Sequence, residues 1–219
     1  MSDGHSLIPI TDEQAKLGQE VIKAFRGLGA FLDKALGSTP EDLIGYFGGD
    51  RLRVRRAENM ARMLADAKDR LADRGVEQTE PATLTVALPI LQAAADEDRD
   101  EIVDLWARLL ANAMDPSLRN VRQRFIEAIK KMDPPDALAL KYLYQNRLTT
   151  IRGGDVDLGN STVVTDGYMA KKVDLRESAL QVSLSNLEAI GFLWMQGESR
   201  HTTNLYREFM LACFPEQKT

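Results

Sequence analysis

Residues 100–116, which read DEIVDLWARLLANAMDP, decide the fold. Their apolar side chains recur at the three- and four-residue spacing of one helix face, at Ile102, Leu105, Trp106, Leu109, Leu110 and Ala113. Asp100 and Asp104 place negative charge near the start of this helix, where the helix dipole favours it. Pro116 ends it. The stretch therefore predicts a helix that organises the core, with Trp106 buried.

Composition is typical of a helical globular protein. Hydrophobic residues make up 44% of the 219 residues, which suffices for a core, whereas aromatic residues make up only 6%. Abundant Ala and Leu favour helices over sheets. The net charge of −5 gives no general attraction to nucleic acid or to anionic membranes. A chain of this length forms one domain or two small ones.

The sequence also indicates a reducing compartment. Cys213 is the only cysteine and has no partner for an internal disulfide, which fits the cytoplasm. No apolar run approaches the roughly 18 residues of a transmembrane helix. The N-terminus lacks the basic and apolar regions of a secretory signal. We therefore expect a cytoplasmic protein.

Periodicity and capping residues predict several further helices. Thr11 and Gln14 form a capping box, and Gly75 and Gly191 each stop a helix. The predicted helices cover about residues 12–36, 40–48, 50–74, 81–95, 117–132, 136–146, 176–190 and 204–214.

The pattern changes in the last third of the chain. Residues 162–164 and 168–173 flank Asp166-Gly167, a dipeptide suited to a tight hairpin. Residues 192–195 predict a strand, and residues 197–201 predict a turn. Helix, loop, helix, a strand pair around a turn, and a final helix is the order of a small winged-helix module.

We therefore predict a mainly α fold in two parts. Pro134-Pro135 ends a helix and marks the preferred boundary. Residues 1–133 are expected to form a helical bundle. Residues 134–219 are expected to form a small winged-helix-like module with a short β-hairpin.

Motifs for catalysis and metal binding are missing from the sequence. His5, His201 and the single cysteine do not have zinc-site spacing. The acidic run at residues 96–100 is typical of a solvated helix start, and the acidic residues 155–157 lack the ligand count of a calcium loop. Gly48-Gly49 is not followed by the Lys-Ser/Thr pair of a phosphate-binding loop. We expect no catalytic residue, no metal and no cofactor.

Charge distribution gives the most useful functional signal. Residues 50–74 hold eight basic and five acidic residues, whereas residues 75–105 hold eight acidic residues and one basic residue. Four arginines cluster where the helix dipole least favours cations, at Arg51, Arg53, Arg55 and Arg56. We interpret them as candidates for binding a partner. We favour the other interpretation, in which they pair with the acidic segment or lie in water.

Two other kinds of partner are disfavoured. In a winged helix, residues 176–190 would enter the major groove of DNA, but one Arg against two Glu is a poor electrostatic match for phosphates. Packing or dimerisation suits this helix better. The glycine-rich amphipathic stretch at residues 17–47 offers a membrane surface only weak support, because its charges are mixed.

Three segments of the chain carry a family resemblance. They are residues 49–59 (GDRLRVRRAEN), residues 88–94 with 105–113 (LPILQAA and LWARLLANA), and residues 184–192 with 209–213 (LSNLEAIGF and FMLAC). Together they resemble the abortive infection alpha family of bacteria, from about residue 40 onward. Relatives place a Gly in the turn before the last helix, where this chain has Thr203 followed by Tyr206.

The resemblance implies a role in bacterial defence against phage, and it supplies no catalytic residue. We expect a non-enzymatic interaction protein that binds another protein or itself as a homo-oligomer. One alternative is an immunity or antitoxin protein that neutralises a toxin. Another is a DNA-binding winged-helix regulator.

Overall fold

The computed structural model describes residues 27–36, 52–118, 120–154 and 162–214, together with Gln19, Lys23 and Phe25. These residues form a mainly helical chain with a small four-stranded sheet. The helices are α1 (Gly29–Leu36), α2 (Leu52–Asp73), α3 (Leu84–Ala95), α4 (Asp100–Met114), α5 (Gln123–Ile129), α6 (Pro134–Gln145), α7 (Asp166–Lys172), α8 (Glu177–Ile190) and α9 (Asn204–Cys213). The strands are β1 (Thr150–Arg152), β2 (Val163–Thr165), β3 (Leu193–Gln196) and β4 (Ser199–Thr202).

Helix α4 lies at the centre of the core, as its sequence predicts. The indole of Trp106 is buried, with the residue only 1% exposed. Helices α2, α3, α6 and α9 all contact α4. Its wide apolar face therefore packs against elements from both halves of the chain.

The sheet brings distant segments together in the order β2-β1-β4-β3. Strand β1 pairs in parallel with β2, with Ile151 opposite Val164, and antiparallel with β4, with Ile151 opposite Arg200. Strands β3 and β4 form an antiparallel hairpin. Gly197, with a φ of 61°, makes the turn between them. The predicted turn at residues 197–201 is therefore too long, because residues from Ser199 onward already pair with β3.

The predicted hairpin around Asp166-Gly167 is wrong. These two residues begin α7, and the strand before them pairs in parallel with β1. Thr165 caps the helix, because its side-chain oxygen accepts a hydrogen bond from the Tyr168 amide. The carboxylate of Asp166 accepts hydrogen bonds from the amides of Gly154 and Gly167, each at 2.8 Å. These bonds stabilise a helix start in place of a tight turn.

The helix predicted from Ser117 begins later, at Gln123. The Asp115 carboxylate accepts hydrogen bonds from the amide and the hydroxyl of Ser117, at 2.9 and 2.7 Å. Ser117 therefore belongs to a turn and caps no helix. Helix α5 still buries Phe125 and Ile129, as predicted.

The predicted helix over residues 12–36 is not continuous. Gly27 has a φ of 82°, and α1 begins after it at Gly29. Other features predicted near the N-terminus lie outside the described residues, namely the capping box of Thr11 and Gln14 and the helix over residues 40–48.

Pro134-Pro135 begins α6, where a missing backbone N–H is tolerated. The side chains of Asp133 and Asp136 form a reciprocal capping box there. Buried residues on both sides of Pro134 belong to one hydrophobic cluster. The division into residues 1–133 and 134–219 stays a prediction.

Candidate functional site: an arginine-lined pocket

A row of ion pairs joins α2 to the acidic segment between α3 and α4. Arg55 pairs with Asp98, and Arg56 Nε lies 2.6 Å from Asp96 Oδ1. Arg62, about two turns after Arg55 on α2, lies 2.6 Å from Asp100. These pairs are largely exposed and each adds about 0–1 kcal/mol.

Two of the four arginines predicted to bind a partner thus contact aspartates of their own chain. The side chains of Arg51 and Arg53 lie outside the described residues. Arg55 remains 63% exposed in its pair. The role of these arginines in partner binding stays a prediction.

The same interface between α2 and α4 becomes more buried toward the end of α2. The Asp104 carboxylate accepts hydrogen bonds from Arg70 of α2 and from Arg108 Nε, the second at 2.8 Å. Arg74 donates to the Asn112 side-chain oxygen and lies 3.7 Å from the Asp115 carboxylate. Asp104, Arg108 and Asn112 are four residues apart on α4, so they form one polar line facing α2.

Asn112 extends this network to the last helix. It is 1% exposed, and its side-chain amide donates to the carbonyl of Ala212 in α9. Its oxygen already accepts from Arg74. The buried amide therefore connects the ends of α2 and α9 through α4.

Burial lowers the pKa of Arg74 from its ordinary value. The Asp115 carboxylate opposes this effect, whereas the positive charges of Arg70 and Arg108 add to it. Because an arginine keeps its proton in proteins, Arg74 carries a poorly solvated positive charge beside two others.

The network opens into a pocket of about 460 Å³. Its walls come from α2, α4, the end of α6 and the end of α9. The lining carries four guanidinium groups, of Arg70, Arg74, Arg108 and Arg147, and one carboxylate, of Asp73. The pocket is therefore a basic cavity in an acidic protein.

An aromatic wall completes the pocket. The guanidinium carbon of Arg108 lies 4.1 Å from the centre of the Phe214 ring, and the rings of Phe214 and Tyr144 are 5.7 Å apart. The Tyr144 hydroxyl donates to the Phe214 carbonyl at 2.7 Å, which fixes the two residues together. Cys213 also lines the pocket, but it is 1% exposed and burial raises the pKa of its thiol.

Sequence reasoning missed these arginines. The predicted apolar stripe of α2 comprises Ala57, Met60, Ala61, Leu64, Ala67 and Leu71. Arg74 follows Leu71 by three residues and so continues this stripe. An arginine at the next buried position of such a stripe is a signal that could have been used. The approach of Arg147 and Phe214 depends on tertiary structure and has no local signal.

The other candidate residues from the sequence lie elsewhere. Residues 96–100 pair with arginines as described above, and residues 155–157 are outside the described part of the chain. His201 lies on β4, where its ring is 5.4 Å from that of Trp194 and its Nδ1 is 3.1 Å from the Thr150 hydroxyl. Among the described residues, no His, Cys, Asp and Glu side chains are grouped as metal ligands.

These observations define a mainly helical protein with a small sheet, in which an arginine-lined pocket lies between the ends of four helices. Within the residues that the structure describes, no helix combines the length and the apolar character needed to cross a membrane.

Comparison with protein families identifies the chain further. A family model described as abortive infection alpha matches residues 55–216, about three quarters of the chain. The chain belongs to this family, as its sequence resemblance predicts. All the pocket residues named above lie inside the matched range, whereas Arg51 and Arg53 lie outside it. No curated protein and no solved structure matches the chain.

Proposed function

We propose that this chain is a non-enzymatic interaction protein of bacterial phage defence that acts by binding a second copy of itself. Membership of the abortive infection alpha family supports the defence role. One structural observation carries the interaction role. Strand β3, at one edge of the sheet, exposes Trp194 and Met195 by 48% and 45%.

The composition of this edge suits self-association. Strand β3 reads LWMQ and contains neither a charge nor a proline, the residues by which proteins commonly protect a sheet edge. An antiparallel pair of two such strands would place no like charges opposite each other. Trp194 is packed against His201, and tryptophan is enriched at the energetic centres of interfaces.

Light scattering on the purified full-length chain tests this proposal. We expect a dimer for the wild type, and a mass near 24.4 kDa for Trp194→Lys/Met195→Lys, because lysines disfavour edge pairing. The matched control is Leu84→Lys/Leu88→Lys, which changes two exposed apolar residues of α3 and should leave the dimer intact. A wild-type monomer, or a double β3 variant that still dimerises, would refute self-association through β3.

A toxin-binding immunity role predicts a different result. In that case the wild type is monomeric, and it forms a stable complex with the product of a neighbouring gene. This result would replace the self-association proposal.

The order of elements favours a DNA-binding regulator as a second candidate. Helix α6, strands β1 and β2, helices α7 and α8, and the hairpin β3–β4 follow one another along the chain, an order similar to that of a winged helix. Helix α8 would then contact DNA, yet its exposed residues include the neutral Ser178, Val182 and Ser185. Retention on heparin that declines with added salt would favour this candidate, because phosphate binding releases counterions.

A further inference from the structure

We propose that the arginine-lined pocket binds a small phosphate ester of nucleotide size, with its phosphate on the guanidinium groups and its planar ring against the aromatic wall. This inference goes beyond the interaction function and does not depend on it. The volume of about 460 Å³ lies within the range of small-molecule sites, about 300–1,000 Å³.

The guanidinium groups of the pocket lining suit an anion. Four guanidinium groups and the Asp73 carboxylate line the pocket. Asp104 and Asp115 lie outside this lining and pair with Arg70 and Arg74. Asp66 also interacts electrostatically with Arg70, so four positive charges lie near four negative ones. Two buried donors, Arg70 Nε and Arg74 Nη2, have no hydrogen-bond partner among the described residues. Both atoms are buried below the pocket surface, so a phosphate, which supplies acceptors only, would bind the exposed parts of these guanidinium groups.

Arg147 provides a second, independent observation. Its side chain is exposed at the pocket, and no carboxylate in the described part of the chain pairs with it. Its backbone has a φ of 55°, in the left-handed region. Its amide donates to the Tyr144 carbonyl, and the next amide, of Leu148, donates to the Leu143 carbonyl.

This pattern is a Schellman motif, in which glycine is the usual residue at the left-handed position. An arginine there costs conformational energy that a glycine avoids. The backbone gives no reason for an arginine at this position. Contact between the Arg147 side chain and a ligand would explain the arginine, since functional sites commonly hold such strained residues.

The aromatic wall suits a planar ring. Arg108 stacks on Phe214, and Tyr144 is held beside it by a hydrogen bond to the backbone. Aromatic rings and arginine planes are the surfaces on which proteins stack nucleobases. A ligand that carries both a phosphate and a ring would therefore use both sides of the pocket.

Isothermal titration calorimetry on the full-length chain tests the inference with three probes: adenosine monophosphate, inorganic phosphate and adenosine. We expect adenosine monophosphate to bind more tightly than either of the other two. Arg147→Gly should weaken its binding by about tenfold or more, the effect of losing one charge-assisted hydrogen bond. The melting temperature of this variant should be unchanged or higher, because glycine suits the backbone.

A matched control exists in the same protein. Asp174 has the same φ of 55° and lies outside the pocket, so Asp174→Gly makes the same backbone change without touching the ligand. The affinity of Asp174→Gly for adenosine monophosphate should equal that of the wild type. Arg207→Ala removes an exposed positive charge of α9 away from the pocket and should also have no effect.

Two results would overturn the inference. The first is that adenosine monophosphate does not bind at millimolar concentration, or that Arg147→Gly binds it as tightly as the wild type. The second is that inorganic phosphate binds as tightly as adenosine monophosphate, which would remove the role of the aromatic wall. Dimerisation is measured without ligand, so neither result bears on the proposed interaction function.

Discussion

At the scale of single residues, Trp106 is the largest buried side chain of the core. Replacing it with alanine removes packing on α4 and leaves a cavity. We expect Trp106→Ala to lower the free energy of unfolding by about 3–5 kcal/mol, measured by denaturant unfolding. Leu84→Ala is the control, because Leu84 is 54% exposed and its loss should change stability far less. A Trp106→Ala variant that unfolds like the wild type would contradict the core assignment.

Glu97 makes a pH-dependent contribution to stability. Burial alone would raise its pKa, but hydrogen bonds from the Arg99 side chain and amide outweigh burial and hold the pKa below its ordinary value. For an acid with a lowered pKa, the stabilisation is present above the unfolded-state pKa of about 4.3 and is lost as the pH falls through the folded-state value.

We therefore expect Glu97→Gln to destabilise the protein at pH 7, with a difference from the wild type that shrinks below about pH 4. Thermal unfolding across this pH range measures the effect. Glu77→Gln, at an exposed position, is the control and should show a smaller difference. A Glu97→Gln penalty that stays constant down to acid pH would show that the charge of Glu97 is not the cause.

At the scale of elements, the interface between α2 and α4 combines exposed and partly buried ion pairs. Asp98 pairs with Arg55 where both are more than half exposed, so Asp98→Ala should cost about 0–1 kcal/mol. The Asp104 carboxylate pairs with Arg70 and Arg108, and the side chains of all three residues are about a quarter exposed or less. Asp104→Ala should cost about 2 kcal/mol or more in urea unfolding, because two charged hydrogen bonds are lost. Equal costs for the two variants would contradict this account of the interface.

Local sequence signals predicted some of these elements well. The helices α4, α8 and α9 follow from apolar periodicity, and Gly191, with a φ of 91°, ends α8 as predicted. The Asp166-Gly167 dipeptide misled because turn propensity is local, whereas β2 pairs in parallel with β1, which precedes it by 13 residues, and not with the residues that follow the dipeptide.

The pocket could not be predicted from local patterns. Arg70 and Arg74 lie on α2, Arg147 follows α6, and Phe214 follows α9, so they meet only in the folded chain. The predicted cluster of arginines was found by charge density along the sequence. That count includes Arg70 and Arg74, but it does not show that they meet Arg108 and Arg147 at one pocket.

At the scale of the whole molecule, the arginines at the start of α2 stay a predicted surface for a partner. We expect Arg53→Glu/Arg55→Glu/Arg56→Glu to weaken partner binding and leave the fold intact, because the pairs of Arg55 and Arg56 are exposed and contribute little stability. Pull-down of a tagged second copy of the chain measures partner binding, and circular dichroism measures the fold. Arg62→Glu is the control, because it loses an exposed pair on the same helix outside the predicted cluster. Unchanged binding by the triple variant would remove this surface from consideration.

We propose that this protein defends bacteria through an interaction surface on β3. The most direct test counts phage plaques on cells that express the wild type, Trp194→Lys/Met195→Lys or Leu84→Lys/Leu88→Lys at equal levels of folded protein. We predict fewer plaques for the wild type and the α3 variant, and no protection by the β3 variant. Full protection by the β3 variant would contradict the claim.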